Sequence, residues 1–112
     1  MLGNRALQAG VISVTATGNT TLGFAPGNTS PADLVAVSAA SAATIVLPAI
    51  NLTGTTLGIG GNQTLRVVNL NSQSVALAAN SADTIVGASG TIAANTAATL
   101  VSDATNSRWV RY

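Results

Sequence analysis

The sequence predicts an all-β fold, and three observations carry that prediction. Short runs of Val, Ile, Leu and Thr recur along the chain, separated by Gly, Asn, Pro and Ser, the residues that punctuate strands with turns. Thr followed by Leu or Ile occurs at Thr21, Thr44, Thr56, Thr64, Thr84, Thr91 and Thr99. Several of these steps lie near the roughly 8–12-residue spacing of sandwiches and barrels, while their irregularity argues against a strict solenoid repeat. The C-terminal residues 98–112 read as a β-hairpin, with strand formers Thr99, Leu100, Val101 and Trp109, Val110, Tyr112 around turn formers Asp103 to Ser107. The expected architecture is a small antiparallel β-sandwich or jelly-roll-like barrel. A single β domain spans residues 11–112, preceded by an N-terminal arm at residues 1–10.

In chain order, the first expected strand is Val11 to Thr15, bounded by Gly10 and by Gly18-Asn19. Thr21 to Ala25 follows and closes on Pro26-Gly27-Asn28, a strong turn signal. Ser30-Pro31-Ala32-Asp33 combines a capping residue, Pro at the first helical position and an acid three residues on. The strand-like Leu34 to Val37 and Thr44 to Leu47 lack helical periodicity, so one short helical turn near Pro31 and then strand is expected. Thr56 to Ile59 is a weak strand entering the Gly60-Gly61-Asn62 turn, and Thr64 to Leu70 is the best central strand. Ser74 to Ala78, Asp83 to Val86 and Thr91 to Ala93 precede the hairpin. In its second strand Trp109 and Arg111 share one face, and Arg108, Val110 and Tyr112 the other. Two guanidiniums there imply that one face meets water or a partner.

Composition excludes more than it suggests. The 112 residues are 47% hydrophobic but 3% aromatic, so a core would be built from small aliphatic side chains that each bury little area. Only 6% are charged, with a net charge of +1, far below the quarter usual in globular domains. Such a surface is covered with Thr, Ser and Asn or buried against copies of itself. There is no Cys, His, Glu or Lys, so disulfides are excluded and nucleic-acid binding lacks its basic footprint. The N-terminus has no apolar run of the secretory type. Leu34 to Ile50 is free of charge but is short for a membrane helix and is interrupted by Ser, Thr44 and Pro48.

Chemistry has few carriers. Asp33, Asp83 and Asp103 are the only carboxylate side chains, far apart in sequence and without a His, Lys or Cys to pair with. General acid–base and nucleophilic catalysis need a tuned group beside a partner, so no catalytic residue, cofactor site or metal site is expected. Asp83 and Asp103 sit in turn contexts, where an Asp usually bonds local backbone. Gly58-Ile59-Gly60-Gly61 lacks the Lys-Ser/Thr of a phosphate loop and reads as strand-turn glycine.

An ordered set of motifs runs through residues 43–112: Ala43-Thr-Ile-Val-Leu-Pro-Ala49, Leu65-Arg-Val-Val-Asn69, Ser74-Val-Ala-Leu77, Asp83-Thr-Ile-Val-Gly87, and Ala98-Thr-Leu-Val-Ser-Asp103 ending in Arg108-Trp-Val110. This set resembles small structural proteins and fibre domains of tailed bacteriophages. Ala104 stands where Gly often follows the Asp, and Asn106-Ser107 lengthen the terminal turn. The resemblance implies an intertwined homotrimer and no reaction. It points to a capsid decoration (cement) protein on the outer surface of the virion, its partners being itself and the major capsid protein, with no nucleic acid and no membrane. A tail-fibre or receptor-binding tip is the alternative. On the decoration reading, Leu2, Arg5 and Leu7 of the arm contact the capsid, while Trp109, Arg108, Arg111 and Tyr112 form the core anchor and subunit interface.

Overall fold

The computed structural model describes residues 8–15, 18–23, 32–38, 43–51, 57–80, 83–87 and 90–111. Among them are ten strands and no helix: β1 (Gln8–Thr15), β2 (Asn19–Thr21), β3 (Ala32–Ser38), β4 (Ala43–Val46), β5 (Thr64–Asn69), β6 (Val75–Ala78), β7 (Thr84–Gly87), β8 (Thr91–Ile92), β9 (Ala97–Asp103) and β10 (Arg108–Arg111). They form a six-stranded sheet in the order β1-β3-β5-β9-β10-β7 and a four-stranded sheet in the order β2-β4-β6-β8. The protein is all-β, as its sequence predicts.

Pairing is mixed rather than antiparallel throughout. Five of the eight ladders are parallel, and only β5–β9, β9–β10 and β6–β8 are antiparallel. The reason is the path of the chain. From β1 to β9 each successive strand lies in the other sheet, so β1, β3 and β5 stack in one sheet while β2, β4 and β6 stack in the other. Two strands make one coil, and the next coil lands alongside in the same direction. Val11 pairs with Leu34 and Leu34 with Arg66, steps of 23 and 32 residues. This is the winding of a solenoid with coils of unequal length, which is why no strict repeat is visible. At one end β1 and β2 form the edges of both sheets. At the other, antiparallel β8 and β9 end the stacking.

The core lies between the sheets and is set by strand alternation. Val35 and Val37 on β3, Leu65 and Val67 on β5, and Ala98 and Leu100 on β9 face Ile45 on β4, Val75 and Leu77 on β6, and Ile92 on β8. The Thr–Leu/Ile pairs mark this alternation: Leu22, Ile45, Leu65, Ile92 and Leu100 are fully buried, each preceded by a Thr that turns outward. Trp109 is also fully buried and is the largest side chain in the core.

Several sequence expectations shift. β1 begins at Gln8, so residues 8–10 belong to the body and not to an arm. The segment once ambiguous between helix and strand is strand from Ala32, whereas Ser30 and Pro31 lie outside the described residues. Residues 57–60 are irregular, not strand. They cross under the β4 exit, where Ile59 N donates to the Ala49 carbonyl and Gly60 N to the Ile50 carbonyl. The strand expected at Thr21 to Ala25 begins earlier, as β2 (Asn19–Thr21), and residues 24–25 lie outside the described residues.

Candidate functional site

The C-terminal hairpin forms as expected, with Arg108 opposite Asp103 and Val110 opposite Val101. Its anchor, Trp109, points inward, and the indole N–H donates to the buried Pro48 carbonyl at 3.3 Å. A Trp in a core needs such a partner for its single donor. The Leu47-Pro48-Ala49 motif thus supplies the carbonyl that receives the Trp. Arg111 shares Trp109's face but lies at the end of the strand, where its Nη1 donates to the Thr91 carbonyl of β8 at 2.7 Å. That guanidinium ties the six-stranded sheet to the four-stranded one. Arg108 faces outward and forms an ion pair with Asp103 at 2.9 Å. Leu2, Arg5, Leu7 and Tyr112 lie outside the described residues.

The three carboxylates are separate. Asp33 accepts from the Gly10 N–H at 3.0 Å, across the irregularity in the β1–β3 ladder. Asp103 accepts from the Asn106 amide and from Arg108, and these bonds hold its carboxyl below the usual range. Asp83 was expected to bond within its own turn, but its carboxylate accepts from the Ile50 N–H, 33 residues away. Burial raises its pKa and that bond partly offsets the rise. Among the described residues no three His, Cys, Asp or Glu side chains gather as a metal site would require.

The other motif residues are also fastenings. Asn69, fully buried at the end of β5, donates through its amide to the carbonyls of Gln73 (2.7 Å), Ile92 (3.0 Å) and Ala93 (3.2 Å). Its Oδ1 accepts from the Asn71 N–H at 2.9 Å. One side chain therefore fixes both the β5–β6 turn and the exit of β8. Sequence reading took Asn69 only as a strand end. The signal for more was its inward parity, in register with Leu65 and Val67. Ser102 donates to the Gly60 carbonyl at 2.7 Å and accepts from the Gln63 N–H at 3.0 Å, so it holds the glycine turn on β9. Asn51 reaches the hairpin turn, donating to the Ala104 carbonyl and to Ser107 Oγ.

Two shallow grooves lie on the outward faces. One, of about 400 Å³, is bordered by Gly10, Val11, Asp33, Leu34, Thr64 and Arg66 at the β1–β3–β5 end of the larger sheet. The other, of about 380 Å³, runs over the smaller sheet past Asn19, Thr44, Ser74, Ala76 and Thr91, none of the described residues lining it being ionisable. Neither brings two carboxylates together. Among the described residues no helix is long and apolar enough to cross a membrane.

No family model matches the chain, and no curated protein or solved structure does so either.

Proposed function

We propose that this protein is a non-catalytic structural subunit of a tailed-bacteriophage particle, a decoration protein that binds the outside of the capsid as a homotrimer. One observation carries the reading. Of the motif residues that give the sequence its resemblance to phage structural proteins, Pro48, Asn69, Asp83 and Trp109 fasten segments of one sheet to segments of the other, and Ser102 fastens the glycine turn to β9. What the motifs encode is a scaffold. A scaffold of small aliphatic and hydroxylated residues with few charges suits a part whose work is to be bound rather than to react. Trimers fit a three-fold position where capsid subunits meet, because three modest contacts on one rigid body act together.

The arm, shortened to residues 1–7 by the position of β1, is the capsid-contacting element in this reading. The test is binding of full-length and residue 1–7-deleted protein to heads that lack decoration. The deleted form should fold and assemble but bind more weakly, and heads carrying it should rupture at lower temperature. Equal binding of both forms removes the role of the arm, and absence of binding by either removes decoration.

A tail-fibre or receptor-binding tip is the second reading. The observation favouring it is the first coil, whose β1 and β2 are the outermost strands of both sheets at the same end among the described residues, where the coils of a shaft can stack. Binding to host cells but not to heads would select it.

A further inference from the structure

The two outward faces of the sandwich differ in extent and in charge: the larger one alone carries Arg and Asp side chains among the described residues. On the smaller sheet the outward residues of β2, β4, β6 and β8 are Asn19, Thr21, Thr44, Val46, Ala76, Ala78 and Thr91, mostly small and polar. On the larger sheet the pairing aligns Leu34 with Arg66 and Thr99, Ala36 with Val68 and Ala97, and Thr64 with Val101, Val110 and Val86. Eight of the outward positions there are Val, Leu or Ala, interleaved with Ser13, Thr15, Ser38, Thr64, Thr84 and Thr99. Val11 and Val86, 62% and 36% exposed, lie on its two edge strands, so the apolar character runs the full width of the sheet.

We infer that this outward face of the six-stranded sheet is a self-association surface, covered by a second copy of the chain. The inference rests on the trimeric reading above and assigns the contact within it.

Charge selects the occupant. Arg66 is exposed and has no ion pair among the described residues, whereas the exposed Asp33 borders the same groove and bonds only a backbone N–H. The remaining charges on the face, Arg108 and Asp103, neutralise each other at its margin. A face bearing one unpaired cation and one anion is complementary to itself, since Arg66 of one copy can meet the carboxylate of the next. Size agrees. Six strands about 4.8 Å apart and about six residues long, rising about 3.3 Å per residue, frame roughly 600 Å² in plan, near the ~800 Å² that each partner gives a standard interface.

The experiment is sedimentation velocity of the full chain from about 1 to about 100 µM, the range over which association-linked folding shows its concentration dependence. Val68→Asp and Val110→Asp place a charge on the face, and Val46→Asp places one on the outward face of the other sheet. The two face variants should raise the concentration of half-assembly at least about tenfold, while Val46→Asp stays near wild type. Arg66→Asp should weaken assembly, and Asp33→Arg in the same chain should restore it. A milder probe covers variants that misfold: the chain has no cysteine, so Thr99→Cys supplies a single thiol on the face and Thr44→Cys one on the opposite side. Maleimide should label Thr44→Cys at all concentrations and Thr99→Cys only on dilution. Assembled protein that tolerates both face charges and leaves Thr99→Cys reactive overturns the inference and leaves a trimer standing. Wild-type protein that stays monomeric throughout overturns the trimer as well.

Discussion

Replacing Asn69 by Asp changes one NH2 group to an oxygen and nothing in shape, yet it should be among the costliest substitutions in the chain. The Asn69 amide has two N–H donors serving three carbonyls, so one bond is shared, and its Oδ1 is occupied by the Asn71 N–H. With Asp there, two carboxylate oxygens meet two kinds of neighbour. One keeps the Asn71 N–H, and the other faces the oxygens of Gln73, Ile92 and Ala93 without a donor between them. An uncompensated buried charge costs about 3–5 kcal/mol. Set against the ~5–15 kcal/mol that holds a small domain together, this is about a fifth of the total or more. The cost depends on pH in a defined direction. Burial among carbonyls raises the folded-state pKa of the introduced acid, so the native state binds its proton more tightly than the unfolded chain does. The variant should therefore be least destabilised below the unfolded carboxylate pKa of about 3.9 and lose stability as pH rises toward the folded value. Urea unfolding followed by Trp109 fluorescence at pH 4 and pH 7, with wild type in parallel to subtract its own aspartates, measures both effects. A variant with the wild-type midpoint at both pH values would refute the placement of Asn69 between the β5–β6 turn and the exit of β8.

Trp109→Ala should cost about 3–5 kcal/mol, because a fully buried ring is lost and no other large residue can fill the space. Trp109→Phe should cost less, about 1–3 kcal/mol, mainly through the Pro48 carbonyl left without its donor. Circular dichroism in denaturant ranks the two. Gly58→Ala should lower the melting temperature by the equivalent of about 1–3 kcal/mol, since the added methyl would collide with the backbone of Ile50 and Asn51. Asp103 has a folded-state pKa below its unfolded value, so its contribution is present above the unfolded pKa and is lost as pH falls through the folded one. Asp103→Asn should therefore flatten the acid side of the stability profile relative to wild type. Asp83, raised by burial, acts in the opposite direction and cancels in that difference.

Local strand content was legible because it depends on alternation alone. Thr64 to Leu70, Ser74 to Ala78 and the Asp83 to Val86 run fall within a residue or two of β5, β6 and β7. The Thr-Leu and Thr-Ile pairs marked the spacing of strands, and in the structure Thr faces outward and Leu or Ile inward at Leu22, Ile45, Leu65, Ile92 and Leu100. Sheet membership was not legible. A turn after β1 reads the same whether the chain doubles back beside itself or crosses to the other sheet, and the true parallel partners lie 23 to 32 residues away. Residues 57–60 misled for a related reason: Leu57 and Ile59 have the composition of a strand, but Gly58 passes so close to Ile50 that only an irregular crossing fits.

The polar interior was legible only in part. Trp109 stood out as the single Trp and expected anchor, and the structure turns it inward opposite the buried Ser102. Asn69 and Ser102 did not stand out, because Asn and Ser abound in this chain and the sequence does not say which of them face inward. The separation of Asp33, Asp83 and Asp103 in sequence persists in space, where each carboxylate is bound to a different element. The make-up of each outward face emerges only from the ladder registers, which line up residues from strands far apart in the chain.

Imaging of intact phage particles, with and without this protein, tests the decoration reading most directly. Decoration predicts extra density at three-fold positions on the outer surface of the head, many copies per particle, with three two-sheet protomers in each density. Density confined to the tail, or particles whose heads are identical with and without the protein, would contradict it.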